Sequence, residues 1–376
     1  RQQTLLDDVK IAVPALDVAA LGAGGGSIAW IDAGGILDLG PHSAGAEPGP
    51  ACYGGGGTEP TLTDANLVLG YIAPETFLGG RLSLSPDKAR AAISDRIAGP
   101  LGLGVEEAAL AINALGSSRI AEGIRASTVR RGLDPRDFTL FCFGGAGGLH
   151  AETVARELSI PRAIVPREAS VLSALGFLSA DVRQDHYRAM GQRFGDVGAE
   201  GLRKVFAELE DEGRARLSAD GFTGDRVRVV RRIDCRYQRQ VFTVQVDASD
   251  DDLQQDGLGW LREKFETAYA ALYRHAHGDQ EGFIDSCHLV MYGVLPELAL
   301  PRFAEGPADP SPARRGFRRI YLAGWVDADV YWFDDLRHGM RIAGPAVVDS
   351  ASTSVVIGPA GRATVDPYGS LVIDLD

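Results

Sequence analysis

Thr139-Leu-Phe-Cys-Phe143, followed by Gly144-Gly-Ala-Gly-Gly148 and Leu149-His150, is an apolar aromatic run that stops in glycines and restarts as a helix. A short apolar run bounded by glycine reads as a buried strand. Glycines between a strand's C-terminal end and a helix start leave backbone N–H groups uncovered at the positive end of the helix dipole. Gly144, Gly145, Gly147 and Gly148 therefore suit a phosphate, or the ribose and adenine of a nucleotide. They equally suit a turn in which helix and strand pack closely. The spacing is neither GxGxxG nor a Walker A loop, so both readings stand on the residues alone. Beyond the helix, Arg162 to Val165 reads as another strand and residues 169 to 180 as another helix. Strand, loop, helix and strand make a βαβ unit with a right-handed crossover, which sets the class as α/β.

Upstream, residues 22 to 80 carry sixteen glycines, against about four at average usage. Trp30, Cys52, Asp64 and Asn66 interleave them, which argues for backbone-lined turns rather than a flexible linker. Gly24, Gly25 and Gly26 with the Ser27 hydroxyl form either a phosphate-wrapping nest or a glycine-bent strand. In Thr61-Leu-Thr-Asp-Ala-Asn66, Thr63 or Asp64 is placed to cap a short helix. The chemical reading makes Asp64 a Mg²⁺ ligand through water, or the group that orients a reacting amide. Residues 105 to 130 read as a long helix with Ile112, Gly116, Ile120 and Ile124 on one face, stopped by Gly132 and Pro135.

After Asp185 the character changes. A charged helix over 198–220, strands over 227–237 and 241–246, and a helix over 251–274 are expected. A proline-rich linker near 301–312 precedes a final β-rich segment. The expected division is therefore residues 1–185 and an α+β region over 186–376. His275-x-His277, with Asp279, Asp285 and His288 nearby, lacks recognised metal-ligand spacing, and a helix-terminal role for the histidines accounts for them as well.

The chain of 376 residues has a net charge of −13, which repels nucleic acid and anionic membranes alike. No apolar run reaches the ~20 residues of a membrane span. Cys52, Cys142, Cys235 and Cys287 are scattered without CxxC spacing, so they read as reduced thiols of a cytoplasmic protein. No nucleophile elbow or Ser-His-Asp order signals covalent catalysis.

GAGGGSIAW (22–30), SAGAEPGPACYGGGGTEPTLTDANLVLG (43–70), FGGAGGLHA (143–151) and VLSALGFLSAD (171–181) closely resemble the hydantoinase/oxoprolinase family, A-subunit type. GPAVVDSASTSVVIGPAGRATVDPYGSLVI (344–373) resembles that family's C-terminal pattern more weakly. The resemblance implies an actin-like ATPase (ribonuclease H-like) domain portion over 1–185. It implies ATP and Mg²⁺ as cofactors and a cyclic-amide substrate activated by phosphorylation. It also implies an oligomer with a hydantoinase B-type partner subunit or domain. Carried onto this sequence, it places nucleotide at Gly24–Ser27, Asn66 and the 144–148 loop, and makes Asp64 and His150 catalytic candidates. A ketone-carboxylase ATPase subunit shares the same loops, and a non-catalytic scaffold is the reading from another class. The family's DxGGTFTD-type and D-M-G-G-T-S-T-D-like phosphate loops are not in this chain. It therefore reads as the C-terminal portion of a longer protein, or one half of a split one.

Overall fold

A computed structural model describes residues 4–6, 9–11, 18–274 and 280–375. The chain divides into two compact units, Arg1–Leu175 with Leu300–Asp376, and Gly176–Ala299.

The first unit is built on the βαβ segment. Leu140–Phe141 pairs in parallel with Arg162–Val165, and the helix Gly147–Glu157 links them. On its other side Arg162–Val165 pairs antiparallel with Leu371–Asp374, followed in the sheet by Arg362–Val365 and Arg341–Ala343. Ala163, Val165, Leu371 and Ile373 are buried in one cluster, so their apolar side chains supply the burial that holds this pairing. A four-stranded sheet is ordered Arg314–Tyr321, Trp325–Trp332, Ala346–Asp349, Ser354–Ile357. The helix Gly147–Glu157 packs on its strand Ser354–Ile357. That approach is close at Gly148, where a Cβ would lie 2.7 Å from Ser354 O. The helix Val105–Val129 packs against Leu62–Val68 and Gly147–Glu157. Ser27–Ile31 and Leu37–Ser43 form the expected hairpin across Asp32–Gly35.

The second unit is a four-stranded antiparallel sheet ordered Val182–Arg193, Gly282–Gly293, Val227–Tyr237, Val244–Ala248. Helices Phe194–Ala219 and Gly259–Tyr273 bury Leu202, Phe206, Leu209, Leu261 and Phe265 against it.

The expected linear split at residue 185 differs from this division. The β-rich end of the chain returns to the first unit because Leu371–Asp374 completes a sheet begun at Arg162. The helix expected over 251–274 is two helices, Asp250–Gln254 and Gly259–Tyr273, separated where Gly257 and Gly259 weaken helical propensity.

Candidate functional site

Three segments far apart in sequence meet in the first unit. The loop 22–27 is held by its own serine: Ser27 Oγ accepts from Gly24 N at 2.9 Å and donates to Gly22 O at 3.2 Å. The Ser27 hydroxyl is thus spent inside the loop. Gly25 O accepts from Thr63 N and Thr63 Oγ1, both at 2.9 Å. A Cβ on Gly25 would sit 2.8 Å from Thr63 Oγ1, and one on Gly26 2.8 Å from Ser43 Oγ. These two positions require glycine for close approach, whereas Gly24 faces open space.

The helix Leu62–Val68 is capped by Thr61, not by Thr63 or Asp64. Asp64 is the third helical residue of a capping box, and its carboxylate has 0% exposure. Asp64 Oδ2 accepts from Thr61 N at 2.9 Å, Thr61 Oγ1 at 2.7 Å and Ala51 N at 3.2 Å, while Oδ1 accepts from Cys52 N at 2.7 Å. The carboxylate therefore ties the turn Ala51–Tyr53 to the helix start. Burial and the neighbouring Asp64 push the Cys52 thiol far up, so it is no nucleophile. Two residues on, Asn66 Oδ1 accepts from Asn113 Nδ2 at 2.7 Å, and Asn66 Nδ2 is buried without a partner.

The third segment is the glycine loop. Gly144 takes φ +89°, the left-handed region, and donates to Ala169 O at 2.7 Å. Gly145 O accepts from Thr353 Oγ1 at 3.1 Å. His150 is 4% exposed, and burial pushes its pKa down to about 4. Ser117 Oγ lies 3.1 Å from Asn113 O and 2.9 Å from His150 Nδ1, a contact whose donor is set by the imidazole tautomer. Nε2 is buried and without a partner.

These segments enclose a cleft of about 240 Å³, walled by Gly25, Gly26, Thr63, Asn66, Gly145 and the loop Ser350–Ser354. An apolar cavity of about 390 Å³ lies back to back with it, sharing Gly25 and Ala146 and lined by Gly24, Gly144, Gly147 and His150. The structure thus gathers most of the expected residues into two adjoining spaces. Asp64, Ser27 and Gly148 line neither. The hydroxyl-rich Ser350-Ala-Ser-Thr-Ser354 was not expected in the site; its signal was the run of small hydroxyl residues between two strands. Tyr53 and Phe77, rings 5.8 Å apart, supply the aromatic wall.

His275 and His277 lie outside the described residues. In the second unit, His288 Nε2 bonds Asp185 Oδ1 at 2.7 Å and its ring stacks on Tyr187 at 4.0 Å. Among the described residues no three His, Cys, Asp or Glu side chains are grouped to hold a metal. No described helix is long and apolar enough to cross a membrane.

The hydantoinase/oxoprolinase family model matches residues 1–186, and the hydantoinase/oxoprolinase C-terminal domain model matches residues 195–372. The caprolactamase alpha subunit of Pseudomonas jessenii is 37% identical over 364 residues, 95% of this chain and 52% of the relative. The nucleotide-free structure of acetone carboxylase superposes with a TM-score of 0.90 at 26% identity, covering 98% of this chain and 54% of that one. The crystal structure of ATP-dependent caprolactamase from Pseudomonas jessenii gives a TM-score of 0.70 at 37% identity, covering 97% and 54%. The chain spans about half the length of these caprolactamase and acetone carboxylase relatives. Matched by that family's models along nearly its whole length, the chain belongs to the hydantoinase/oxoprolinase family.

Proposed function

We propose that this chain forms the nucleotide-facing part of an ATP-dependent cyclic-amide hydrolase with an actin-like ATPase fold. The observation that carries the reading is the cleft where Gly25–Gly26, Gly145–Ala146 and Ser350–Ser354 converge beside the unpartnered Asn66 Nδ2. Backbone-lined walls let phosphate oxygens approach N–H groups without steric interference. A buried amide donor without a partner costs about 1–3 kcal/mol, which an acceptor on a ligand would relieve.

ATP fits these residues. Asn66 and Gly145–Ala146 of the glycine loop would hold it, and it would supply the phosphoryl group that turns a poor amide oxygen into a leaving group. Magnesium does not fit the expected residue. Asp64 presents no exposed oxygen, and its lone pairs are taken by four donors. Asp64 acts instead as a positioning residue that fixes the Ala51–Tyr53 wall. His150, the other catalytic candidate, is neutral on the apolar side, where its unpartnered Nε2 would bond a polar group of a ligand. A B-type partner, an oligomeric state and a cytoplasmic location belong to this same proposal.

A fluorescent ATP analogue titrated onto the 376-residue chain tests it. Binding is expected, weakened at least tenfold by Gly145→Val, whose side chain enters the cleft at a site with only Ser352 O within 4 Å, at 3.3 Å. Undiminished binding by a folded Gly145→Val protein would remove the loop from the nucleotide site. Little ATP turnover is expected from this chain alone.

The ketone-carboxylase reading rests on the TM-score of 0.90 to acetone carboxylase, against 0.70 to caprolactamase, the relative with the higher identity. ATP turnover by the complete assembly distinguishes the two. Stimulation by lactam or hydantoin supports the hydrolase, and stimulation only by ketone with bicarbonate supports the carboxylase.

A further inference from the structure

Asn66 Nδ2 and His150 Nε2 are both buried without a partner, and one turn of a single helix stands behind both residues. Asn113 and Ser117 lie four positions apart in the helix Val105–Val129, so their side chains share a face. Asn113 Nδ2 donates to Asn66 Oδ1 at 2.7 Å, and Ser117 Oγ lies 2.9 Å from His150 Nδ1. Asn113 is 6% exposed and Ser117 0%. Neither lines the cleft or the apolar cavity, whereas Asn66 lines the first and His150 the second. Elsewhere the buried side of this helix takes Ala108, Ala109, Ile112 and Ala121. An amide and a hydroxyl in such a place carry a desolvation cost that alanine would not, and their hydrogen bonds must offset it. Gly116, between them, lets the helix come close to Leu62, whose Cδ2 would lie 3.1 Å from an added Cβ. The helix that carries Asn66 is thereby held against the same turn.

We infer that Asn113 and Ser117 are positioning residues of the site: Asn113 sets which end of the Asn66 amide meets the cleft, and Ser117 sets the His150 ring so that Nε2 meets the apolar cavity. A terminal amide turns about a soft torsion, and its two ends differ only as donor and acceptor. With Oδ1 held by Asn113, Nδ2 is the end left for a ligand, and it suits a phosphate, carboxylate or carbonyl oxygen. An imidazole also turns about a soft torsion. With Nδ1 held by Ser117, Nε2 is the nitrogen left for a ligand. Ser117 Oγ also lies 3.1 Å from Asn113 O, so its hydroxyl hydrogen has an acceptor whichever tautomer the ring adopts. For Asn66 this role rests on the proposed nucleotide site; for His150 it stands on the geometry alone.

The first test labels the histidines of the 376-residue chain for nitrogen NMR, with His150→Asn identifying the His150 ring signals. Ser117→Ala should move the His150 Nδ1 signal, and Ser117→Thr, which keeps the hydroxyl, should restore it. A His150 signal that Ser117→Ala leaves unmoved overturns the inference. The second test titrates the fluorescent ATP analogue through a double-mutant cycle, with affinities corrected for folded fraction. Asn113→Ala should weaken binding about fivefold, the ratio that one net hydrogen bond sets. In an Asn66→Ala background the same change should weaken binding no further. Equal losses in the two backgrounds overturn the inference, because Asn113 then does not act through Asn66. Asn113→Asp, which keeps the size and removes the donor, takes its place in the cycle should Asn113→Ala fold poorly. If the unaltered chain binds no analogue, the nucleotide reading fails, and the ring signals of Ser117→Ala decide the inference without it.

Discussion

Asp64→Asn separates a carboxylate that builds the site from one that reacts in it. The side chain keeps its size but loses one acceptor oxygen. With the amide oxygen at Oδ2, the three bonds from Thr61 N, Thr61 Oγ1 and Ala51 N survive, and the new NH₂ faces Cys52 N–H, now 2.7 Å from Oδ1. Donor then meets donor in a place with no water access. The opposite flip keeps the Cys52 bond and loses the other three. Asn is a good capping residue in general, but here the cap is only part of what the carboxylate does. Losing one hydrogen bond to a charged group costs about 1.5–3 kcal/mol. Removing a buried charge returns part of this through relieved desolvation. The net expectation is about 2 kcal/mol, or roughly 4–8 °C in melting temperature for a unit of this size. The assay is a thermal melt followed by circular dichroism, with turnover of the complete assembly measured on the same preparation. Nucleotide affinity, corrected for folded fraction, should fall only as far as the Ala51–Tyr53 wall loosens. An Asn variant that melts with the unaltered protein yet loses turnover would refute this reasoning and make Asp64 a reacting group.

Three further outcomes follow from the same geometry. Gly148→Ala drives a Cβ to 2.7 Å from Ser354 O and 2.8 Å from Val355 Cγ2, so denaturant melts should show a loss of about 1–3 kcal/mol. Gly24→Ala meets no atom within 4 Å and should leave stability unchanged, so any weakening of ATP-analogue binding there reports contact with ligand. His150 titrates near 4 when folded against an ordinary 6.5. The unfolded chain therefore binds the extra proton first, and the contribution is intact above pH 6.5 and lost as pH falls toward 4. The loss by pH 5 is about 2 kcal/mol. Urea midpoints at pH 7 and pH 5 should differ less in His150→Asn than in the unaltered protein, and equal differences would place the effect elsewhere.

The βαβ unit was legible because Thr139–Phe143 and Arg162–Val165 are short apolar runs bounded by punctuation, and because the intervening glycines fix where the helix starts. The long helix showed through Ile112, Gly116, Ile120 and Ile124. Val182–Arg193 and Gly282–Gly293 escaped notice as strands for the opposite reason. Arg183, Asp185, His186 and Arg188 blur the alternation of the first, and a register shift between Ile284 and Ser286 breaks that of the second. In the site, the glycine loops announced themselves, but what Asp64 holds did not. Its partners Ala51 N and Cys52 N lie 13 and 12 residues upstream, brought back by a turn no local pattern encodes. Ser350–Ser354 reads locally as a polar turn, and only the approach of Thr353 to Gly145 makes it a wall.

The pairing of Leu371–Asp374 with Arg162–Val165 also orders events in time. Arg162 and Asp374, joined by a 2.8 Å ion pair, are 212 positions apart in the chain. A ribosome emitting about 5–20 residues per second finishes the second strand many seconds after the first. During that interval Arg162–Val165 has Leu140–Phe141 on one side and no permanent neighbour on the other. The second unit, whose strands all lie between residues 182 and 293, has every one of its own pairings available before that wait ends. The slow, long-range closure belongs to the unit that carries the site. Nascent chains halted before residue 371 would display a protease-sensitive glycine loop beside an already protected Gly176–Ala299 unit.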